Sequence, residues 1–199
     1  MRIKIIAFLI VLLEGGALLS YEVVSAKIYT PYIGSTIHVW TSILSITLVS
    51  LGLSYRFSHY FISKQKWFIL PTSLFISGVY LFLLLFFKDS FLTLTANLEI
   101  KTASILSGVF LIFIPIFAMG LVTPTISAFL HFKEPKIDKN IGKISGYLYG
   151  LGTISGVLFT LFYIYLIIPL VGVVVTIMII ASTLFLSSIL AYLIITRWK

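Results

Sequence analysis

Six long apolar runs, each near the roughly 20 residues that a helix needs to cross a bilayer, leave this chain almost no way to build a water-soluble core. They cover about 5–26, 35–55, 67–87, 103–130, 146–168 and 171–195. None alternates polar and apolar residues with the period of two that a membrane β-barrel strand requires. Only 10% of the residues are charged, against about 25% in ordinary soluble domains. The expected fold is therefore an all-α integral membrane protein, one six-helix domain over 1–199. The longest segments between runs, 88–102 and 131–145, are too short to form a core of their own. Arg2 and Lys4 precede the first run as they would in a signal peptide. No small-residue cleavage site follows, however, and the run continues through Glu14 to Glu22, so a retained first helix is expected.

Breakers divide the runs. Pro31 and Gly34 are expected to end the first helix in a connection over 27–34, and Arg56, His59, Lys64 and Lys66 to fill the next loop. Residues 88–101, with Asp89, Asn97 and Glu99, are expected to include a short amphipathic piece on the membrane surface. Pro115 and Pro124 should bend the fourth span, and Pro169 should end the fifth. Arg2, Lys4, Arg56, Lys64, Lys66, Lys133, Lys136, Lys139, Lys143, Arg197 and Lys199 fall on one side of the membrane, and only Lys27, Lys88 and Lys101 on the other. The positive-inside rule then places both termini in the cytoplasm. The same scatter argues against nucleic acid as the partner of the +8 charge, because no basic patch with stacking aromatics forms on a soluble face.

The stretch from Glu14 to Trp40 carries the chemistry. It sets two carboxylates in a spanning segment, where each costs roughly 2.5 to 3.5 kcal/mol on insertion scales and therefore has a partner or a function. Eight residues apart, Glu14 and Glu22 lie about 80° from one another around a helix and two turns apart in depth, so both can face one interior groove. The functional reading is a cation or proton site, with Glu22 carrying the charge, Tyr21, Tyr29 or Tyr32 supplying hydroxyls, and Lys27 just beyond. The alternatives are pairing of Glu22 with Lys27 or Arg56, or a neutral carboxyl hydrogen-bonded to Ser or Thr on a neighbouring helix. His38 and Trp40 begin the second span near the outer interface. Gly150, Gly152 and Gly156 lie inside an apolar run rather than between a strand and a soluble helix, so they are no dinucleotide loop. Gly152 and Gly156 instead form a G-x-x-x-G pair suited to close helix packing.

The chain has no Cys and only three His, on span ends and loops, so no metal site and no cofactor is expected. No nucleophile elbow, phosphate-binding glycine loop or zinc-protease pair occurs, and no enzymatic activity is expected.

Several motifs together resemble the membrane domain of spermidine synthase-like proteins, the fused major-facilitator/spermidine synthase proteins. They are Tyr21-Glu22-Val23-Val24 followed by Lys27, Pro31-Tyr32-Ile33-Gly34-Ser35 and Val39-Trp40-Thr41, then Met119-Gly120 with Pro124. Further on come Ile144-Ser145-Gly146, Tyr147-Leu148-Tyr149, the Thr153–Gly156 stretch and Ile168-Pro169-Leu170-Val171-Gly172. The match runs in order over nearly the whole chain. It implies a half-major-facilitator-like bundle in a multi-pass prokaryotic inner membrane. Lys27 stands where that family usually has Arg, Gly152 where Asn is common, and Gly52 and Arg56 are what remains of a glycine-rich basic motif. In that family an aminopropyltransferase domain commonly follows the bundle; none is expected within 1–199, so the resemblance implies a separate soluble aminopropyltransferase as a partner.

Two functions follow as expectations. One is a non-catalytic subunit or anchor of a membrane assembly, in contact with lipids and with other membrane subunits or a second copy. The basic 133–143 loop then serves chiefly topology, with anionic headgroups or a cytoplasmic partner as the alternative contact. The other is a half-transporter that dimerises to move a small cation such as a polyamine, through Glu14 and Glu22.

Overall fold

The computed structural model describes residues 2–133 and 141–197. Among the described residues there is no strand, and short connections join eight helices: α1 (Arg2–Ile33), α2 (Ile37–Ser63), α3 (Ile69–Ala96), α4 (Ile100–Gly108), α5 (Ile114–Gly120), α6 (Val122–Lys133), α7 (Ile141–Phe162) and α8 (Ile168–Arg197). Two π-helical stretches, Val109–Phe113 and Tyr163–Ile167, join α4 to α5 and α7 to α8. Five continuous runs are long and apolar enough to cross a membrane: Ile3–Ile33, Ile37–Ser63, Ile69–Ala96, Ile100–Lys133 and Gly142–Arg197.

The last run is 56 residues long, which at 1.5 Å per residue is about 84 Å, roughly twice a bilayer with its headgroups. It is not straight. Gly172 has φ 81° and ψ 171°, a conformation that is essentially restricted to glycine, and the helix changes direction there. Pro169 does not end the fifth span as the sequence led us to expect. The π stretch before it widens the turn, and the chain stays helical until Gly172.

Other boundaries also shift outward. α1 runs through Pro31 to Ile33, because a proline near a helix end forfeits only the bond to the carbonyl four residues back. The stop is Gly34, at φ 81°. α2 continues to Ser63, so Arg56 and His59 are helical, and the chain turns at Gln65 with φ 50°. α3 runs to Ala96, and the expected amphipathic surface piece is its last turns. Asp89 there binds Lys88 and accepts from Tyr32 Oη of α1 at 2.5 Å. Of the basic loop, Lys136 and Lys139 lie outside the described residues, as do Glu134 and Asp138.

α1 is the axis of the bundle, packing along α7 and α8 and reaching α2, α3, α4 and α6. Its buried side chains include Ile10, Val11, Ala17, Tyr21, Val24 and Tyr29. Pro115 supplies no N–H to the carbonyl of Leu111, four residues back. Tyr21 Oη of α1 donates to that carbonyl at 2.6 Å. Tyr80 Oη of α3 donates to the Phe110 carbonyl at 2.5 Å, and Ser77 Oγ to the Pro115 carbonyl at 3.2 Å. Hydroxyls from two helices therefore take up the loosened backbone of a third, as an apolar medium demands.

The α1–α7 contact depends on missing side chains. A Cβ placed on Gly15 would lie 2.5 Å from the Gly152 carbonyl oxygen and 2.7 Å from its Cα. One on Gly16 would lie 2.7 Å from Phe159 Cγ, and one on Gly156 would strike Leu19. Small residues let the two backbones touch, which is how helices associate where no hydrophobic drive separates protein from lipid. Gly15→Ala should therefore cost about 1–3 kcal/mol, as overpacking does. Gly52→Ala, where a Cβ on α2 would meet nothing within 4 Å, should not destabilise, since alanine is the better helix former. Thermal unfolding of the two variants in detergent checks the difference.

Candidate functional site

Glu14 sits halfway along α1 and is 2% exposed. The close approach of Gly15 to Gly152 brings α7 against its flank. Gly120 does the same for α2 and α5, since a Cβ there would collide with Ser54 and reach 2.9 Å from Leu51 Cδ2. The turn at Leu121 then starts α6 with Thr123 one step inside, and Thr123 Oγ1 donates to Glu14 Oε2 at 3.1 Å. Glu14 borders a cavity of about 190 Å³ shared with Leu18, Leu51, Thr123, Tyr55 and Tyr149. The two tyrosine rings meet edge to face with centroids 6.2 Å apart. A carboxyl, a threonine hydroxyl and two tyrosines, 42% and 39% exposed at its mouth, thus border one small cleft, which can hold a proton or a small cation.

Glu22 is half-buried two turns further on, roughly 12 Å along the axis, near Thr47 of α2. That hydroxyl is buried and completes no bond of good geometry. Leu18 and Leu51 lie between the two carboxyls on the same helices, so Glu14 and Glu22 both look onto the seam between α1 and α2. Among the described residues, Asp89 pairs with Lys88 and Glu99 with Lys101, the latter at 3.8 Å. Neither Lys27 nor Arg56 pairs with Glu22, and no Lys or Arg pairs with Glu14.

The other residues singled out from sequence are spread through the bundle. Tyr21 is fully buried, but its hydroxyl is committed to the Leu111 carbonyl. Tyr29 Oη donates to the Ser104 carbonyl at 3.3 Å, and Tyr32 to Asp89. None of the three hydroxyls is given to Glu22, because each anchors α1 to α3, α4 or the π stretch after α4. Lys27 is exposed. Gly152 and Gly156 lie in the α1–α7 contact, with Gly152 also walling the cavity. Thr123, Tyr55 and Tyr149 were not anticipated as neighbours of Glu14. A threonine beside Pro124 in an apolar run was the signal for the first, and nothing in the sequence distinguished the two tyrosines from interfacial ones. Among the described residues no three His, Cys, Asp or Glu gather as a metal site would require.

No protein-family model, no curated protein and no solved structure matches the chain.

Glu14 is 2% exposed in the middle of an apolar helix, whereas Asp89 and Glu99 are both exposed. A lipid-soluble carbodiimide should modify Glu14, whereas a water-soluble one should modify Asp89 and Glu99 and spare it. Peptide mass spectrometry of the labelled protein checks this pattern, and equal labelling of Glu14 by both reagents would contradict the enclosed site.

Proposed function

We propose that this chain is a six-span membrane bundle that binds a small cation or a proton at Glu14 and passes it along the α1–α2 seam by way of Glu22. Counting the long run on either side of Gly172 as two spans gives the sixth. The observation that carries the reading is the convergence of Thr123, Tyr55 and Tyr149 on a buried carboxyl that has no cationic side chain beside it. A purely structural carboxyl here would be neutral and answered by Thr123 alone, whereas a transport site leaves the place of a cationic neighbour to its cargo, and the Glu14→Gln transport assay separates the two.

The resemblance to the membrane domain of spermidine synthase-like proteins supports a half-transporter of the major-facilitator kind, in a prokaryotic inner membrane with cytoplasmic termini. It also supports an organic cation such as a polyamine as cargo. Such a half works in a pair. Gly146 and Gly150 favour this further reading of an assembly, because they lie four residues apart on α7, both exposed, with nothing within 4 Å of where a Cβ would stand. That stripe fits a helix of another subunit or of a second copy. A separate soluble aminopropyltransferase is the partner that the resemblance adds.

In proteoliposomes, uptake of a polyamine or movement of protons should be measurable with the wild-type chain and should be lost in Glu14→Gln. Glu22→Gln should slow it, since the second station is only half-buried. Transport that persists unchanged in Glu14→Gln would sink the reading. The mass of the particle extracted from native membranes in mild detergent tests the assembly. A dimer or a fixed hetero-complex supports it, and a monomer contradicts it.

A further inference from the structure

At the basic end of the bundle, far from Glu14 along the helices, two cavities adjoin. The first, about 380 Å³, lies where the α2–α3 turn meets the ends of α6 and α8. Lys66, Lys133 and Gln65 stand around it over a floor that includes Phe129 and Ile195. The second, about 480 Å³, is a groove between α3 and α8 lined by Pro71, Phe75, Ile76, Ile189 and Tyr192. Phe68 and Thr72 border both. From Phe68 to Ile76 the groove follows α3 for roughly 12 Å, away from the charged turn and into the apolar part of the bundle.

The two cavities differ in chemistry as the two parts of a lipid do. Among the described residues neither Lys66 nor Lys133 has an acidic partner. Trp67 beneath them packs on Phe129 and Phe132, with ring centroids 5.4 and 5.7 Å apart, as a tryptophan does at headgroup level. The turn that presents Lys66 and Trp67 is held by Gln65 in the left-handed region, φ 50°. Two of the groove's polar side chains are spent internally. Ser188 Oγ donates to the Pro71 carbonyl at 2.8 Å and Thr72 Oγ1 to the Phe68 carbonyl at 2.8 Å. What remains is an apolar trough whose walls include Phe75, Ile76 and Ile189, each more than half exposed.

We propose that this pair of cavities is a binding site for one acidic phospholipid, its phosphate held by Lys66 and Lys133 and an acyl chain lying in the α3–α8 groove. Basic pockets between spanning helices take such headgroups. The charge selects an anionic lipid over a zwitterionic one, and the groove selects a lipid over a free phosphate.

Native mass spectrometry of the full chain in detergent, with added phosphatidylglycerol or phosphatidylcholine of matched chains, tests the site. One phosphatidylglycerol should remain bound, and phosphatidylcholine should not. The pair Lys66→Gln and Lys133→Gln, both at exposed positions, should lower phosphatidylglycerol retention about tenfold or more. Ile189→Trp, which fills the groove, should lower it with both lysines intact, and an unchanged melting temperature shows that the variant is folded. Equal retention of the two lipids, or full retention by the lysine variant or by the folded groove variant, overturns the proposal. Displacement of the lipid by inorganic phosphate at millimolar concentration also overturns it, since it would make the site a phosphate pocket without a role for the groove.

Discussion

A polar group inside hydrocarbon finds no water, so every loosened backbone carbonyl and every buried carboxyl must be answered from within the bundle. α1 and α3 supply those answers for the fourth run. Tyr21 of α1 takes the Leu111 carbonyl that Pro115 leaves without an N–H, and Tyr29 reaches the Ser104 carbonyl. With Tyr80 and Ser77 from α3, these bonds let the run Ile100–Lys133 carry a π stretch and a turn at membrane depth without exposing its backbone to lipid. π stretches of this kind recur at functional sites. In this bundle the irregular run ends in the turn that starts α6 with Thr123 pointed at Glu14.

Close packing and chemistry share the same residues. Gly15 adjoins Glu14 in sequence and Gly152 in space, so the contact that joins α1 to α7 also closes one side of the cavity. Gly120 does the equivalent for α2. The result is a carboxyl with one hydroxyl donor and two aromatic neighbours in a space of about 190 Å³. Among the described residues most other buried hydroxyls bond to backbone, as the serines at 50, 54 and 58 of α2 do to carbonyls three or four residues back, a few pair with each other, as Ser127 does with Ser145, and Thr47 Oγ1 and His131 Nδ1 find no partner. What sets Glu14 apart is that it is a carboxyl.

The membrane-spanning helical character was legible in the apolar runs, since length and hydropathy alone decide whether a helix can cross a bilayer. The ends were not. Pro31 and Pro169 read as stops, yet a proline near a helix terminus or after a π stretch interrupts little, and the actual breaks fall at Gly34 and Gly172, where the backbone takes positive φ. Arg56 and Asp89 read as loop residues because charge usually marks the membrane edge, but both lie within helices that run on past them, α2 to Ser63 and α3 to Ala96. Of the site, the two carboxyls stood out on cost alone, while their partners did not. Which way a side chain points from an almost uniformly apolar helix leaves little trace in sequence, so Tyr21 next to Glu22 looked like its partner and Tyr55, 41 positions from Glu14, did not. The partnership exists only because α2 folds back along α1.

The most direct test of the central claim is binding itself. The unfolding temperature of the purified protein is followed against increasing concentrations of sodium, potassium, a linear diamine and protons, for the wild-type chain and for Glu14→Gln. A site built around Glu14 predicts saturable stabilisation of the wild type by at least one of these cations, since a ligand that binds only the folded state raises its stability by mass action, and none in Glu14→Gln. Identical titration curves for the two proteins would contradict it.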